Sequence, residues 1–165
     1  MTKIETFNTS VRTIQEKDQY LTVMIYLKTD YATIQFDERL KLVELEWHGL
    51  VQSHEYRETL DILLDLIEDK KLEYALINRL HLERISLADE EWRKENWYPR
   101  FLESNIKRSA SVISKDYYTE ISVSRLIEEE DKDIRIQRRS FCDYDSAKQW
   151  LLQFAYIEVT TKQNT

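Results

Sequence analysis

Residues 31–47, YATIQFDERLKLVELEW, decide the fold. Residues 31–37 and 40–47 each alternate apolar with polar side chains at period two, the mark of a strand with one buried face. The short Asp37-Glu38-Arg39 turn joins them, so the pair reads as a β-hairpin. Gly49, the chain's one glycine, follows at the strand exit, where freedom to take positive φ is useful. Gln52 or Ser53 then starts a helix. Its Tyr56, Leu60, Leu63, Leu64 and Ile67 recur on one face, and Lys70-Lys71 suit the negative C-terminal end of its dipole.

Further along, residues 72–80, LEYALINRL, read as a buried strand. Residues 85–102, ISLADEEWRKENWYPRFL, open with a helix start at Ser86 and carry Asp89, Glu90 and Glu91 in the first turns. They then meet Pro99, the one proline. A proline inside a helix removes a hydrogen bond and clashes with the preceding turn, and it disfavours helical geometry at Tyr98. A kinked or broken helix over about 88–105 follows. SASVIS (109–114) is a short strand. Residues 117–130 form a helix with Ile121, Leu126 and Ile127 inward, frayed at Glu128-Glu129-Glu130. DIRIQRRSF (133–141) is a final strand. Asp143 or Asp145 caps a last helix with Ala147, Trp150, Leu151 and Phe154 as its apolar stripe.

On the other side of the hairpin, residues 1–30 read as an N-terminal arm. Within it YLTVMIYL (20–27) pairs as an extra strand or forms a short helix. Residues 155–165 read as a polar tail. The order ββαβαβαβα predicts a single α/β domain over 31–154. Its expected form is a mostly parallel five-stranded sheet with an antiparallel edge hairpin, four helices and right-handed crossovers.

Composition narrows the function. The chain has 165 residues, enough for one core, and a net charge of −7, which argues against nucleic acid as a partner. Its basic cluster, Arg135 to Arg139, reads as solvated strand faces and a sheet edge. A single cysteine, Cys142, excludes an internal disulfide and a zinc site of cysteine pairs, and reads as a small buried hydrophobe. MTKIETFNTS lacks the apolar run of a signal peptide. No stretch approaches the roughly 20 apolar residues of a membrane span, so the expected location is cytoplasmic. One glycine excludes Gly-rich dinucleotide and phosphate loops and the glycine-flanked serine elbow. His48, His54 and His81 lack metal-ligand spacing, and dipole-favoured first-turn positions explain Glu90 and Glu91. The expectation is no catalytic residue, no metal and no cofactor.

Element order and central segment together resemble the STAS or SpoIIAA-like fold of anti-sigma-factor antagonists, and more narrowly bacterial SpoIIAA-like proteins. The residues that carry the resemblance are Glu46-Trp47-His48-Gly49, Ser53-His54-Glu55-Tyr56-Arg57 and Ala75-Leu76-Ile77-Asn78-Arg79. Ile85-Ser86, Asp89-Glu90-Glu91-Trp92 and Trp97-Tyr98-Pro99 complete them. The resemblance spans residues 31–154 and implies a non-enzymatic regulatory or protein-interaction domain. In the antagonists a serine or threonine at the start of the second helix is phosphorylated by an anti-sigma kinase. The matching position is Ser86, although Ile85 and Leu87 stand where the antagonists have an acidic residue and a glycine. Ser86 is therefore expected to act mainly as an N-cap.

Two functions follow. As an interaction module, the chain would present Ser86, Trp92, Trp97, Tyr98 and Arg100, residue types that include those enriched in hot spots. Trp92 is expected to be the more buried tryptophan and Trp97 to border a groove. As a small apolar-ligand or lipid module, it would need a cavity among Trp92, Trp97, Phe101 and the sheet. A pocket with convergent polar groups favours the ligand; a flat aromatic patch favours a protein partner. The apolar run at 20–27 suggests a homodimer.

Overall fold

The computed structural model describes residues 11–16, 19–116 and 135–163. Among the described residues seven strands form one sheet in sequence order: β1 (Val11–Glu16), β2 (Gln19–Lys28), β3 (Ala32–Asp37), β4 (Leu42–Gly49), β5 (Tyr74–Leu82), β6 (Arg108–Val112) and β7 (Gln137–Phe141). The ladders from β1 to β4 are antiparallel, and those from β4 to β7 are parallel. The sheet is thus mixed in equal parts, with seven strands rather than five. The β3–β4 hairpin is interior and not an edge, because β2 pairs outside it and β1 outside that. Residues 20–27 are the extra strand, and much of the expected arm is sheet. The motive for a homodimer goes with it, since β2 has a partner on both sides.

The hairpin forms because Ile34 and Phe36 pair across from Leu45 and Val43 on one face, all four buried. Helix α1 (Ser53–Lys70) lays Tyr56, Leu60, Leu63, Leu64 and Ile67 onto that face, as its periodicity predicts. Lys71 closes it in left-handed geometry, with its N–H donating to the Ile67 carbonyl. The opposite face packs Leu42, Tyr74, Leu76, Ala110 and Val112 against Ala147, Leu151 and Ala155 of α4 (Tyr144–Gln163). That helix begins after Asp143, whose carboxylate accepts the Ser146 N–H at 2.8 Å. It is helical to Gln163, through most of the stretch expected to be a polar tail. Cys142 is half-buried rather than buried. The helix expected over 117–130 lies outside the described residues. No helix among the described residues is long and apolar enough to cross a membrane.

Pro99 does not break its helix. Helix α2 (Leu87–Trp92) runs into a π-turn over Arg93–Trp97 and then into α3 (Tyr98–Glu103). The Tyr98 N–H donates to the Arg93 carbonyl, five residues back. Tyr98 keeps helical angles, φ −62° and ψ −40°, where an extended residue was expected. The wider turn takes up the crowding that proline creates, and Pro99 falls in the first turn of α3, where a missing N–H is tolerated.

Gly49 has φ +61°, and a Cβ built there meets nothing within 4 Å. Gly49→Ala should therefore cost only the left-handed backbone penalty, about 1–2 kcal/mol. Urea denaturation would show it as a lower midpoint at unchanged slope; an unchanged midpoint would contradict the assignment.

Candidate ligand-binding site

A cavity of about 240 Å³ lies between the α1 face of the sheet and the helical segment around the π-turn. Its floor follows from strand register. Ser109 pairs with Arg138 and Ser111 with Ser140 across β6 and β7. Ser111 also pairs with Ile77 of β5. Period two puts these residues on one face, with Arg79 two positions beyond Ile77. On β4 that face carries Trp47. On β6 it carries serines, which are too small to fill the layer, so space remains.

The roof is aromatic. Trp97 and Phe101 stack with centroids 4.8 Å apart, and Tyr98 lies 6.4 Å from Phe101. Trp97 is 5% exposed, and its indole N–H donates to the Leu60 carbonyl at 2.7 Å. Trp47 and Tyr56, stacked at 5.2 Å, form the end wall. Burial pushes the Tyr56 phenol up to about 12, although Arg79 and Arg93 pull the other way.

Arginines supply the charge. Glu90 holds two of them: Arg79 Nη2 is 3.0 Å from Oε1, and Arg93 Nη2 is 2.8 Å from Oε2. Burial raises the Glu90 carboxyl, but Arg93 and Arg79 outweigh it and hold it below the usual carboxylate range. Arg138 stands exposed at the β7 side, with its guanidinium 5.2 Å from the Tyr98 ring centroid. It is therefore part of this wall and not a plain solvated strand residue. Among the described residues that line the cavity, none is acidic.

Of the residues singled out by sequence, Trp97 and Tyr98 reach this cavity. The expected order of tryptophan burial is reversed. Trp97 is buried, whereas Trp92 is half-buried, with Arg57 over its ring at 5.2 Å. Both pack against the same core cluster, Trp97 seated within it and Trp92 at its margin. Arg100 is exposed and pairs with Asp61 at 2.8 Å, away from the cavity.

Ser86 is the N-cap of α2; its Oγ accepts the Asp89 N–H at 3.2 Å. Its hydroxyl donates to Asp89 Oδ2 at 2.6 Å, and Ser53 donates to the same oxygen at 2.6 Å. Arg57 Nε donates to Oδ1 at 2.8 Å. Asp89, 3% exposed, thereby ties the start of α1 to the start of α2. Ser86→Ala should cost about 1 kcal/mol as a lost cap; an unchanged melting temperature would contradict the capping role.

Arg79, Arg93, Arg138, Ser109, Ser111 and Ser140 were not singled out by sequence. One signal was present: serines alternate with apolar residues over 109–112, on a strand that helices should cover on both faces.

The opposite face holds a second cavity of about 300 Å³, bordered by Glu44, Glu46, Asn78, His81 and Tyr144. Its most buried carboxylate, Glu44, accepts the Tyr144 hydroxyl at 2.5 Å and pairs with Lys148 at 3.2 Å. Burial and the neighbouring Glu44 push Tyr144 up to about 12. Burial favours loss of the Lys148 proton, but Glu44 and Tyr144 outweigh it and hold the ammonium's pKa above the ordinary lysine value. That network is internally satisfied.

No protein-family model matches the chain, and no curated protein matches it in sequence. Among solved structures it is similar to an uncharacterized protein from the DUF3478 family with a SpoIIAA-like fold, from Shewanella loihica PV-4. The similarity covers 86% of this chain and 92% of that one, at 14% identity and a TM-score of 0.48.

Proposed function

We propose that the chain is a non-enzymatic binding module of SpoIIAA-like type, which takes a small organic molecule in the cavity beneath the π-turn. The observation that supports this most is the wall itself: stacked aromatics on one side and serines and arginines converging on the other. Ligand pockets are typically built this way, mostly apolar with a few placed polar groups. The lining groups are binding groups. Arginine stays protonated in the working range, and the Tyr56 phenol moves up, away from neutrality. Neither suits a general base at pH 7.

Ser111→Leu tests the reading by filling the cavity from the sheet side. Native mass spectrometry of freshly purified protein should show a bound small molecule on the wild type and none on the folded variant. The same bound mass on both would contradict the reading.

A protein-partner reading has one observation in its favour. Leu50 and Leu87, 63% and 83% exposed, stand at the same end of the sheet. Two scattered leucines are common on soluble surfaces, so the cavity carries the stronger case.

A further inference from the structure

We propose that the second cavity, on the α4 face of the sheet, takes a neutral polyol the size of a monosaccharide. It is a site of its own, and its fate does not touch the cavity beneath the π-turn.

Strand register carries it. Across β3, β4 and β5 two successive rows lie side by side, Gln35–Glu44–Leu76 and Thr33–Glu46–Asn78. Period two puts these residues on one face. Strands lie about 5 Å apart and alternate residues about 7 Å apart, so the rows form a grid of roughly 10 by 7 Å. All but Leu76 are polar, although each of these strands has a neighbour on both sides. The other face of β3 and β4 is apolar, with Ile34, Phe36, Val43 and Leu45 in the core. A plainly solvated sheet face would leave polar side chains in water. Here Thr33, Gln35 and Glu46 are half-buried, and Glu44 and Asn78 are only 6% exposed. Burying a carboxylate and an amide costs free energy that apolar side chains would not, and a space of about 300 Å³ lies against both.

The groups present select the class. A cation needs only acceptors, and an anion only donors. This wall offers both: the carboxylates accept, while the Gln35 and Asn78 amides and the Thr33 and Tyr144 hydroxyls donate and accept. A sugar hydroxyl does the same. Leu76 and Leu80 border the space as well and give an apolar surface to the C–H face of a pyranose ring. Several of the polar groups are already held in place. The Leu80 N–H donates to Asn78 Oδ1 at 3.1 Å, Asn78 Nδ2 donates to Glu46 at 3.4 Å, and Lys148 and the Tyr144 hydroxyl hold Glu44. Preorganised partners lose less freedom on binding. The volume stands at the lower end of the roughly 300–1,000 Å³ of ligand pockets, which suits one ring rather than a chain of sugars.

The test is a proton–nitrogen NMR titration of the full chain with D-glucose, D-galactose, D-mannose and myo-inositol. Cyclohexylamine serves as a cation of similar size without hydroxyls. At least one polyol should give saturable shifts of the Gln35 and Asn78 side-chain amide signals, and the polyols should differ at least threefold in affinity. Gln35→Leu, at a half-buried position, should keep the melting temperature and weaken the best polyol about fivefold or more, the effect of a lost hydrogen bond. Cyclohexylamine binding tighter than every polyol would overturn the polyol class. Equal affinity for all the polyols, or no effect of Gln35→Leu, would overturn the site. No binding of any polyol at tens of millimolar would overturn the proposal as a whole.

Discussion

Trp97→Ala is expected to lower the unfolding free energy by about 3–5 kcal/mol, the range for deleting a buried aromatic. Three losses combine. The indole is 5% exposed, so its removal leaves a void between α1 and the sheet. The stack with Phe101 goes. The indole donor to the Leu60 carbonyl at 2.7 Å goes as well, a smaller loss because that carbonyl lies inside α1 and keeps its helical N–H partner. Trp92→Ala removes a half-buried ring and should cost clearly less. Equal losses for the two variants in urea denaturation would contradict the burial order reported above.

Asp89→Ala should cost about 2–4 kcal/mol, because one carboxylate closes three side-chain hydrogen bonds at the junction of α1 and α2. Arg57 is partly exposed, which keeps the figure below that of a fully buried pair. The loss should depend on pH. Burial works to raise the Asp89 carboxyl, but hydrogen bonds from Ser53, Ser86 and Arg57 outweigh it and hold it below the ordinary 3.8. A group lowered in the folded state stabilises fully above its unfolded value and loses that stabilisation as pH falls through the folded value. The gap between wild type and Asp89→Asn should therefore be constant near neutrality and shrink below about pH 4. A gap that widens on acidification would contradict the assignment. Ser86→Ala and Asp89→Ala share partners, so their combined cost should fall short of the sum.

The legible part of the fold is the part where hydrophobic period and turn chemistry agree. Strands β3 and β4 show clean alternation, and α1 shows a five-residue apolar face, so each lies where expected. The run at 20–27 is apolar almost throughout. Such a run does not separate strand from helix, and only pairing with β3 decides it. Residues 11–16 are polar because an edge strand needs little burial to be held by one ladder. At Pro99 the local rule loses to tertiary packing: Trp97 seats on α1, and the π-turn absorbs the proline. The cavity was half legible. Trp97 and Tyr98 stood out by type. Ser109, Ser111 and Arg138 did not, because their meaning depends on β6 and β7 lying in register under the same helix.

The four tryptophans offer the most direct test of the claim that this cavity is a binding site. Trp47 and Trp97 line it, whereas Trp92 and Trp150 do not. In proton–nitrogen NMR of freshly purified protein, compared with the same protein unfolded, dialysed and refolded to release its bound molecule, the indole N–H signals of Trp47 and Trp97 should differ between the two samples. Those of Trp92 and Trp150 should stay in place. Shifts confined to Trp92 or Trp150, or no shift in any of the four on release of the bound molecule, would contradict the account.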